Sequence, residues 1–285
     1  MVILRSRKGA ILRRYEDWLV SRELAPNTVD KYTRDVGRLL DFALGQAAVA
    51  RLSKRLVVAY KKELVARYSP VSANSMIAAV NSFLAFSGNP EMRIGQIRVQ
   101  SRTYCSEDEE LTKPEYERLV GAAAAKGDVR AKLALETLCS TGMRVGELEC
   151  LSVEALRKGR VGILLKGKAR QIWLPDGLRD ELIAYCEDAG IASGPVFRTR
   201  SGRALHRSSV WKAMKSLADE AGVDRAKAYP HNLRHLFART YYEKYKDLSS
   251  LGDVLGHSSL STTKIYIVST GLEHRRQLSE LGLVA

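Results

Sequence analysis

The sequence is poor in cysteine, and its few cysteines are not spaced as metal ligands or as the disulfide partners of a small secreted domain. Cys105, Cys139, Cys150 and Cys186 lie far apart, and no C-x-x-C pair occurs. We interpret them as reduced thiols, because disulfide frameworks and zinc sites need cysteines in recognisable patterns. Long apolar runs are also absent, which argues against a signal peptide and against a membrane-spanning helix. These absences favour a cytoplasmic protein.

Negative charge is scarce relative to positive charge. The 285 residues include 46 lysines and arginines but 32 aspartates and glutamates, which gives a formal net charge of +14 and an isoelectric point of about 9.7. This excess favours a polyanionic partner, because each neutralised phosphate of a nucleic acid releases a condensed counterion. Binding to a membrane surface remains an alternative on charge alone. The length and the apolar content of 45% predict two domains, each with its own core.

Residues 1–98 predict a bundle of four amphipathic helices. Apolar residues recur at helical spacing in four segments, with breaks at Pro26 and at Ser69-Pro70. Asn27 or Thr28 is the expected N-cap of the second helix. We interpret the aromatic residues on these faces mainly as core packing. The predicted apolar faces consist of Ile11, Tyr15, Trp18 and Leu19; Val29, Tyr32, Val36, Leu39 and Leu40; Val57, Tyr60 and Leu64; and Met76, Ile77, Val80, Phe83 and Leu84.

A linker over residues 99–110 is predicted to join this bundle to a second domain, residues 111–285. The linker ends in the acidic run EDEE, which we interpret as a solvated connector without a role. Thr112 and Glu115, with Pro114 between them, form a capping-box pattern that predicts the first helix of the new domain. Further along, residues 161–165 and 171–174 predict two strands joined by the basic turn KGKAR, and the remainder is mostly helical.

Two basic stretches of the second domain are suited to binding phosphate. In TGMRVGEL, Gly142 is expected to end a helix, and Arg144 and Glu147 lie one turn apart, so that the carboxylate can orient the guanidinium group. Such an arginine suits a phosphate, although a surface ion pair has the same pattern. In the predicted turn, Lys166 or Lys168 could deliver a proton to a substrate, but three cations there are also typical of a solvated tip or a phosphate-backbone contact.

A third stretch, PHNLRHLF, is predicted to begin a helix at Pro230, with His231, Arg234 and His235 on one face. A group that titrates near neutral pH beside a permanent cation suits phosphoryl transfer. His231 and His235 also have the i,i+4 spacing of zinc ligands. The glutamate that a zinc-protease helix needs is replaced by Asn232, so no metal is expected. Packing within the helix remains an alternative for His235.

In a fourth stretch, LGHSSLSTTKIYIV, His257 precedes Tyr266 by nine residues. Gly256 is expected to end a helix, and the hydroxyl-rich residues after it let the chain turn. A tyrosine between two isoleucines is by itself typical of a core. Together, however, the arginines, histidines, lysine and tyrosine of the four stretches supply every group that an attack on a phosphodiester needs. No P-loop, carboxylate cluster or cysteine-histidine metal set competes with them.

These stretches resemble the motifs of the tyrosine recombinase family, which includes phage integrases, Xer recombinases and Cre. TGMRVGELECLS is similar to the family's first arginine box, HNLRHLFA to its H-x-x-R-H box, and LGHSSLSTTKIY to the closing box that ends in the nucleophile. Their order and separations match as well, and three ordered boxes are a specific signal. The resemblance is strong over residues 111–285, whereas the N-terminal part is similar only in length and pattern.

The resemblance implies a site-specific recombinase or integrase that cuts and rejoins DNA without metal, ATP or another cofactor. Tyr266 would be the nucleophile and would form a 3′-phosphotyrosyl bond with one strand. Arg144 and Arg234 would hold the non-bridging oxygens of the scissile phosphate. His231 would be the general base, and His257 would hydrogen-bond the same phosphate.

The resemblance also implies a catalytic lysine and two supporting residues. Lys166 would protonate the leaving 5′-oxygen, but the turn is about one residue shorter than the family pattern, so Lys168 is a rival. Glu147 would brace the arginine site, and His235 would support it.

The implied fold is mainly α with a small antiparallel β-sheet, arranged as a two-domain, C-shaped DNA clamp. The implied partners are double-stranded DNA recombination sites bound by a homo-tetramer, with a tail helix after residue 269 that contacts a neighbouring protomer or packs on its own domain. Because the first predicted helix begins near residue 10, no arm-binding domain is expected, which favours an Xer-like or mobile-element recombinase associated with the nucleoid. A type IB topoisomerase-like enzyme and a non-catalytic DNA-binding relative are the alternatives.

Overall fold

A computed structural model of the chain divides into two compact units, Met1–Ser101 and Arg102–Ala285. Within the described part of the chain, no helix is long and apolar enough to cross a membrane. The predicted linker lies mostly outside that part. The structure describes residues 2–45, 49–99, 109–165, 168–199, 201–257, 259–264 and 279–282.

The N-terminal unit contains the four predicted helices, α1 to α4. They span Lys8–Ser21, Pro26–Leu44, Lys54–Arg67 and Pro70–Phe86. Ser53 and Ser69 cap α3 and α4, because their side chains accept hydrogen bonds from backbone N–H groups of the first turn. The predicted cap of α2 is wrong. That helix already begins at Pro26, so Asn27 and Thr28 lie inside its first turn, and it has no side-chain cap.

The core of this unit is formed by the predicted apolar faces. Every residue of those faces is buried except Ile11, Trp18 and Tyr32, which pack against the core while partly exposed. Tyr15 lies at the centre of an aromatic cluster and contacts Phe83 edge to face, with ring centroids 5.3 Å apart. The helical period of the sequence therefore identified most of this core, which also includes Leu44, Leu52, Ala73 and Ile94.

Two features of the N-terminal unit were not predicted. The first is a short antiparallel pair of strands, β1 (Val2–Leu4) and β2 (Val49–Arg51). The second is the way in which α4 binds the extended chain that follows it. Asn81 exchanges two hydrogen bonds of 2.8 and 2.9 Å with the backbone of Ile94, and Asn74 exchanges two of 2.8 and 2.7 Å with Ile97.

The spacing of this asparagine clamp follows from backbone geometry. Asn74 and Asn81 are two helical turns apart, about 10.5 Å, which matches the length of about 10 Å that three extended residues span. Each carboxamide acts like one position of a β-ladder, since it both donates to and accepts from one residue. The chain after α4 is thus fixed to the N-terminal unit up to Ile97.

The C-terminal unit is mostly helical. Its first helix begins with the predicted capping box, in which Thr112 accepts from the Glu115 N–H and the Glu115 carboxylate accepts from the Thr112 N–H. Helix α6 lies at the centre and contacts α5, α8, α9 and α10. The helices of this unit are α5 (Lys113–Ala125), α6 (Val129–Thr141), α7 (Val153–Arg157), α8 (Asp176–Asp188), α9 (Arg207–Glu220), α10 (Pro230–Tyr245), α11 (Leu248–Leu255) and α12 (Leu260–Lys264).

The small sheet of this unit is a hairpin of β3 (Arg160–Leu165) and β4 (Lys168–Trp173). Leu165 pairs directly with Lys168, so only residues 166 and 167 connect the strands. The predicted five-residue basic turn is therefore wrong at its second half. Pairing across the ladder extends β4 toward its N-terminus although the residues there are polar, and Arg170 consequently lies in a strand.

Candidate functional site

The first part of the site is a turn that follows α6. Gly142 ends this helix at φ +62°, and a Cβ there would lie 2.4 Å from Cδ1 of Phe237 on α10. Only glycine combines this left-handed backbone with so close an approach. The turn is followed by a 3-10 helix, Val145–Cys150, and Arg144 lies directly before its first residue.

Glu147 joins two arginines at this turn. Its carboxylate accepts from the backbone N–H of Arg144 at 2.7 Å and from Nη1 of Arg144 at 3.0 Å. It also accepts from Nη2 of Arg170, which reaches it from β4. Glu147 is 2% exposed, whereas the Arg144 side chain is 44% exposed. A buried carboxylate thus fixes one exposed guanidinium and one largely buried one.

Arg170 connects this carboxylate to the end of α11. Its Nη1 donates to the carbonyl oxygen of Val254 at 3.1 Å. Gly256 lies directly against it, and a Cβ on Gly256 would come within 2.4 Å of Cδ of Arg170. Gly256 also has φ +65°, so this position needs glycine for its conformation and for the space that Arg170 occupies.

Arg234 is the most deeply buried cation of the site, with 1% exposure. Its Nη1 donates to the carbonyl oxygen of Gly142 at 2.5 Å, and its Nη2 donates to that of Leu255 at 2.8 Å. Nη2 also lies 2.9 Å from Nε2 of His257. One guanidinium group therefore joins the turns after α6 and α11 from its position on α10.

The contacts of His257 determine its tautomer. A guanidinium group can only donate, so Nε2 must accept from Arg234, and the proton must lie on Nδ1. Nδ1 then donates to Oγ1 of the buried Thr263, 3.0 Å away on α12. Burial and the positive charges of Arg234, Arg144 and Arg170 lower the pKa of His257 to about 4. The ring is therefore neutral near pH 7.

His231 lies in the first turn of α10 and is exposed. Partial burial and the charges of Arg234 and Arg144 lower the pKa of His231. A neutral imidazole can accept a proton, so this environment keeps His231 competent as a base. Its ring contacts that of His235 edge to face, with centroids 4.8 Å apart.

His235 lies between His231 and a buried carboxylate. Nδ1 of His235 is 3.9 Å from Oε1 of Glu110, whose Oε2 accepts from Nη1 of Arg239. Burial and the charges of His231, Arg239 and Arg234 nevertheless lower the pKa of His235 to about 4. Glu110 is 7% exposed, so the interpretation of the acidic run as a solvated connector is wrong for this residue.

Six of the eight predicted site residues are described: Arg144, Glu147, His231, Arg234, His235 and His257. Hydrogen bonds join Arg144 to Glu147 and Arg234 to His257, and a ring contact joins His231 to His235. Tyr266 and Lys166 lie outside the described residues, as does the side chain of Lys168.

Sequence reasoning missed Arg170, Thr263 and Glu110. A signal for Arg170 was available, because a strand that begins at Lys168 places Arg170 on the same face as the buried Ile172. Glu110 carries no local signal, since its partners lie on α10, far away in the sequence. Thr263 lies six residues after its partner His257, but nothing in the sequence distinguishes its hydroxyl from the others of that stretch.

The arrangement is suited to an oxyanion. Glu147 forms ion pairs with both Arg144 and Arg170, and the buried Arg234 lies beside His257, so several positive charges surround one carboxylate. The lowered pKa values of His231 and His257 keep these two rings from adding to that charge near pH 7. Arginines held in this way bind phosphate oxygens with directed donors. Within the described residues, no group of three or more histidine, cysteine, aspartate or glutamate side chains is placed to hold a metal ion.

Comparisons with known proteins agree with this chemistry. The profile of the phage integrase family matches residues 109–271, and the profile described as the phage integrase N-terminal SAM-like domain matches residues 12–88. Tyrosine recombinase XerD of Vibrio cholerae is 30% identical over 261 residues, 86% of each chain. Tyrosine recombinase XerA of Thermococcus kodakarensis is 30% identical over 284 residues, 96% of each chain.

Among solved structures, a lambda integrase tetramer bound to a Holliday junction superimposes with a TM-score of 0.70 at 18% identity, covering 90% of this chain and 76% of that chain. At this identity the likeness concerns the fold. The predicted mainly helical fold with a small antiparallel sheet is confirmed.

Proposed function

The chain belongs to the phage integrase family of tyrosine recombinases, and on that premise we propose that it is a site-specific recombinase that cuts and rejoins DNA through a covalent 3′-phosphotyrosine. The observation that carries the proposal is the pair of contacts in which Glu147 holds Arg144 and Arg170 and in which Arg234 meets His257. Its partner is double-stranded DNA that carries recombination sites. A homo-tetramer of the protein binds two such sites. Its place of action is the cytoplasm, where it associates with the nucleoid.

The proposed first step is an exchange of one phosphodiester for another. The phenolic oxygen of Tyr266 attacks the scissile phosphorus, and the bond from phosphorus to the 5′-oxygen breaks. His231 accepts the phenolic proton, and Lys166 or its rival Lys168 donates a proton to the 5′-oxygen. A phenol has a pKa near 10, so removal of its proton during attack is essential.

Arg144 and Arg234 stabilise the charge that grows on the non-bridging oxygens. Loss of one such donor typically costs about 10²–10³ in rate. Arg144 suits this role because its side chain is 44% exposed while Glu147 fixes its direction. Arg234 is buried, and its hydrogen bonds to the carbonyl oxygens of Gly142 and Leu255 fix the plane of its guanidinium group.

His257 must change its protonation to bind the same phosphate. Its Nε2 accepts from Arg234, whereas a hydrogen bond to a phosphate oxygen requires a proton on Nε2. The negative charge of an incoming phosphodiester favours the imidazolium form, because it offsets the three arginines that lower the pKa of His257. DNA binding would thus supply the condition under which His257 can donate.

The second step reverses the first with a different 5′-hydroxyl. The 5′-hydroxyl of a second duplex attacks the phosphotyrosyl phosphorus and gives its proton to the lysine, the bond to Tyr266 breaks, and the departing phenolate takes a proton from His231. One phosphate ester replaces another, so the exchange needs no ATP. A homo-tetramer on two sites brings the second duplex to the reacting phosphate.

The test begins with fragments of the genome that encodes the chain. Covalent protein–DNA complexes are trapped, and the attached fragments are sequenced to map one cleavage site. A duplex of that site, nicked near the scissile phosphate so that the short 5′ product is lost, should accumulate the covalent adduct. We expect Tyr266→Phe to abolish the adduct while DNA binding persists, and joining of two sites in the unaltered chain.

Two outcomes would contradict the proposal. If no covalent adduct forms with any fragment, the phosphotyrosine intermediate is excluded. If an adduct forms and the protein relaxes supercoils without ever joining two sites, the enzyme is topoisomerase-like.

Lys166→Ala and Lys168→Ala in the same assay identify the catalytic lysine, because only one of the two should abolish cleavage.

A further inference from the structure

Helix α10 presents a row of three side chains that leads away from the phosphate-binding arginines. His231, His235 and Arg239 are spaced four residues apart, so they lie one above the other on one face of the helix. The ring contact between His231 and His235, with centroids 4.8 Å apart, shows that the first two members touch. The end of the row at Arg239 meets the segment Glu109–Leu111.

This segment is fastened to α10 at both of its ends. Nδ2 of Asn232 donates to the carbonyl oxygen of Glu109 at 3.1 Å, and Nη2 of Arg239 donates to that of Leu111 at 2.7 Å. Between these contacts, the Glu110 carboxylate accepts from Nη1 of Arg239 and lies 3.9 Å from Nδ1 of His235. Glu110 is thereby held in one position relative to the histidine row.

A carboxylate this well buried needs a compensating charge, and Arg239 supplies it. The compensation is mutual. Without Glu110, the guanidinium of Arg239 would stand uncompensated one turn from His235 and two turns from His231. Its positive charge would then disfavour protonation of His231 and His235.

We propose that Glu110 is a positioning residue for strand cleavage: it holds and neutralises Arg239 at the end of the row that His231 and His235 form, so that His231 can accept the proton of the nucleophile. This inference rests on the proposed role of His231 as the general base. It assigns a part in the reaction to a residue outside all four motif stretches.

His231 has to accept a proton, so its pKa depends on the charged groups that face the histidine row. From α10 itself these are Arg234 and Arg239, from the turn after α6 Arg144, from the turn after α11 His257, and from the segment before α5 Glu110. Among the described groups just named, Glu110 is the carboxylate. Its removal should therefore lower the pKa of His231 further.

The experiment measures single-turnover cleavage of the nicked duplex at saturating DNA, as a function of pH. For Glu110→Gln, we expect a rate about tenfold lower on the plateau, a fraction of the 10²–10⁴ that a general base contributes. The acidic limb should move to lower pH, because a base with a lower pKa loses its proton earlier as pH rises. DNA affinity should stay unchanged.

Two matched variants separate charge from structure. Glu109→Gln removes the same charge from the exposed neighbouring residue and should leave the rate and the pH profile unchanged. The double variant Glu110→Gln with Arg239→Gln removes both charges, so it should return the acidic limb toward that of the unaltered chain. A purely structural role predicts instead that the double variant is at least as impaired as the single one.

The inference is overturned if Glu110→Gln keeps the parental rate and acidic limb, or if the double variant shows no recovery of that limb. Should Glu110→Gln fail to fold, Glu110→Asp keeps the charge and should keep the acidic limb while the plateau falls; a shifted limb in that variant contradicts the inference. If the unaltered chain forms no adduct, the proposed function fails, whereas an active chain that is insensitive to Glu110 refutes only this inference.

Discussion

Each guanidinium group of the site is oriented by oxygen atoms of a neighbouring element. Glu147 orients Arg144 and Arg170, while carbonyl oxygens of Gly142 and Leu255 orient Arg234. These contacts leave the Arg144 side chain partly exposed and fix the planes of the two more buried guanidinium groups. The glycine at position 256 belongs to the same construction, because it makes room for Arg170 beside the turn that carries His257.

Substitution of Gly256 tests this construction. Gly256→Ala places a Cβ within 2.4 Å of Cδ of Arg170, so Arg170 or the His257 turn must move. We expect single-turnover cleavage to fall by about 10²-fold, because a misplacement of about 1 Å at a reacting centre has that effect.

Gly190→Ala is the matched control for this variant. Gly190 also has positive φ, +64°, but nothing lies within 4 Å of its Cβ position. Both alanines should therefore carry a similar backbone strain of about 1–2 kcal/mol, and only Gly256→Ala should impair cleavage. Equal activity of the two variants would show that the contact with Arg170 is irrelevant to the site.

At the scale of elements, connections between helices are fixed by single polar side chains. Asn74 and Asn81 hold the extended chain after α4, and Glu110 with Arg239 holds the chain before α5. The asparagine side chains satisfy backbone groups that a neighbouring strand would otherwise satisfy. The Glu110 carboxylate instead compensates the charge of Arg239.

The asparagine clamp predicts a local loss of stability on truncation. Asn81→Ala removes both partners of the Ile94 backbone, so the segment should open more readily by about 1–3 kcal/mol. Amide hydrogen exchange at Ile94 measures this opening. Asn27→Ala, at an exposed position without a capping role in α2, should leave that exchange unchanged. Full protection of Ile94 in Asn81→Ala would contradict the clamp.

The elements that the sequence predicted well are those whose signal is local. Helices α1 to α4 follow the 3.6-residue period of their apolar residues, and the capping box at Thr112 marks the start of α5. The start of β4 at Lys168 could not be read in this way, because it depends on pairing with Leu165. Glu110 was misread for the same reason, since only α10 makes its burial favourable.

In the site, too, residues within sequence motifs were predicted, and several residues that contact them were not. The four motif stretches predicted Arg144, Arg234 and His257 as phosphate-binding groups and His231 as the general base. Contacts in the structure link Arg144 to Glu147 and Arg234 to His257. Arg170 and Thr263, which contact those groups, were missed. Arg170 was placed in a turn because the start of β4 depends on pairing with β3, and the Thr263 hydroxyl does not stand out among the others of its stretch. The roles proposed for Tyr266 and Lys166 stay predictions, since both lie outside the described residues.

For the whole molecule, the net charge of +14 and the site serve different stages of one reaction. A general excess of positive charge favours DNA without regard to sequence, whereas the arginine cluster is proposed to act on a single phosphate. The central claim is therefore that one tyrosine reacts at that phosphate.

The most direct measurement identifies the amino acid that is joined to DNA. The trapped adduct is digested with a protease and a nuclease, and the peptide that retains a nucleotide is sequenced by mass spectrometry. The account predicts a 3′-phosphoryl group on Tyr266. A nucleotide joined to any other residue, or recovery of the DNA with no peptide attached, would contradict it.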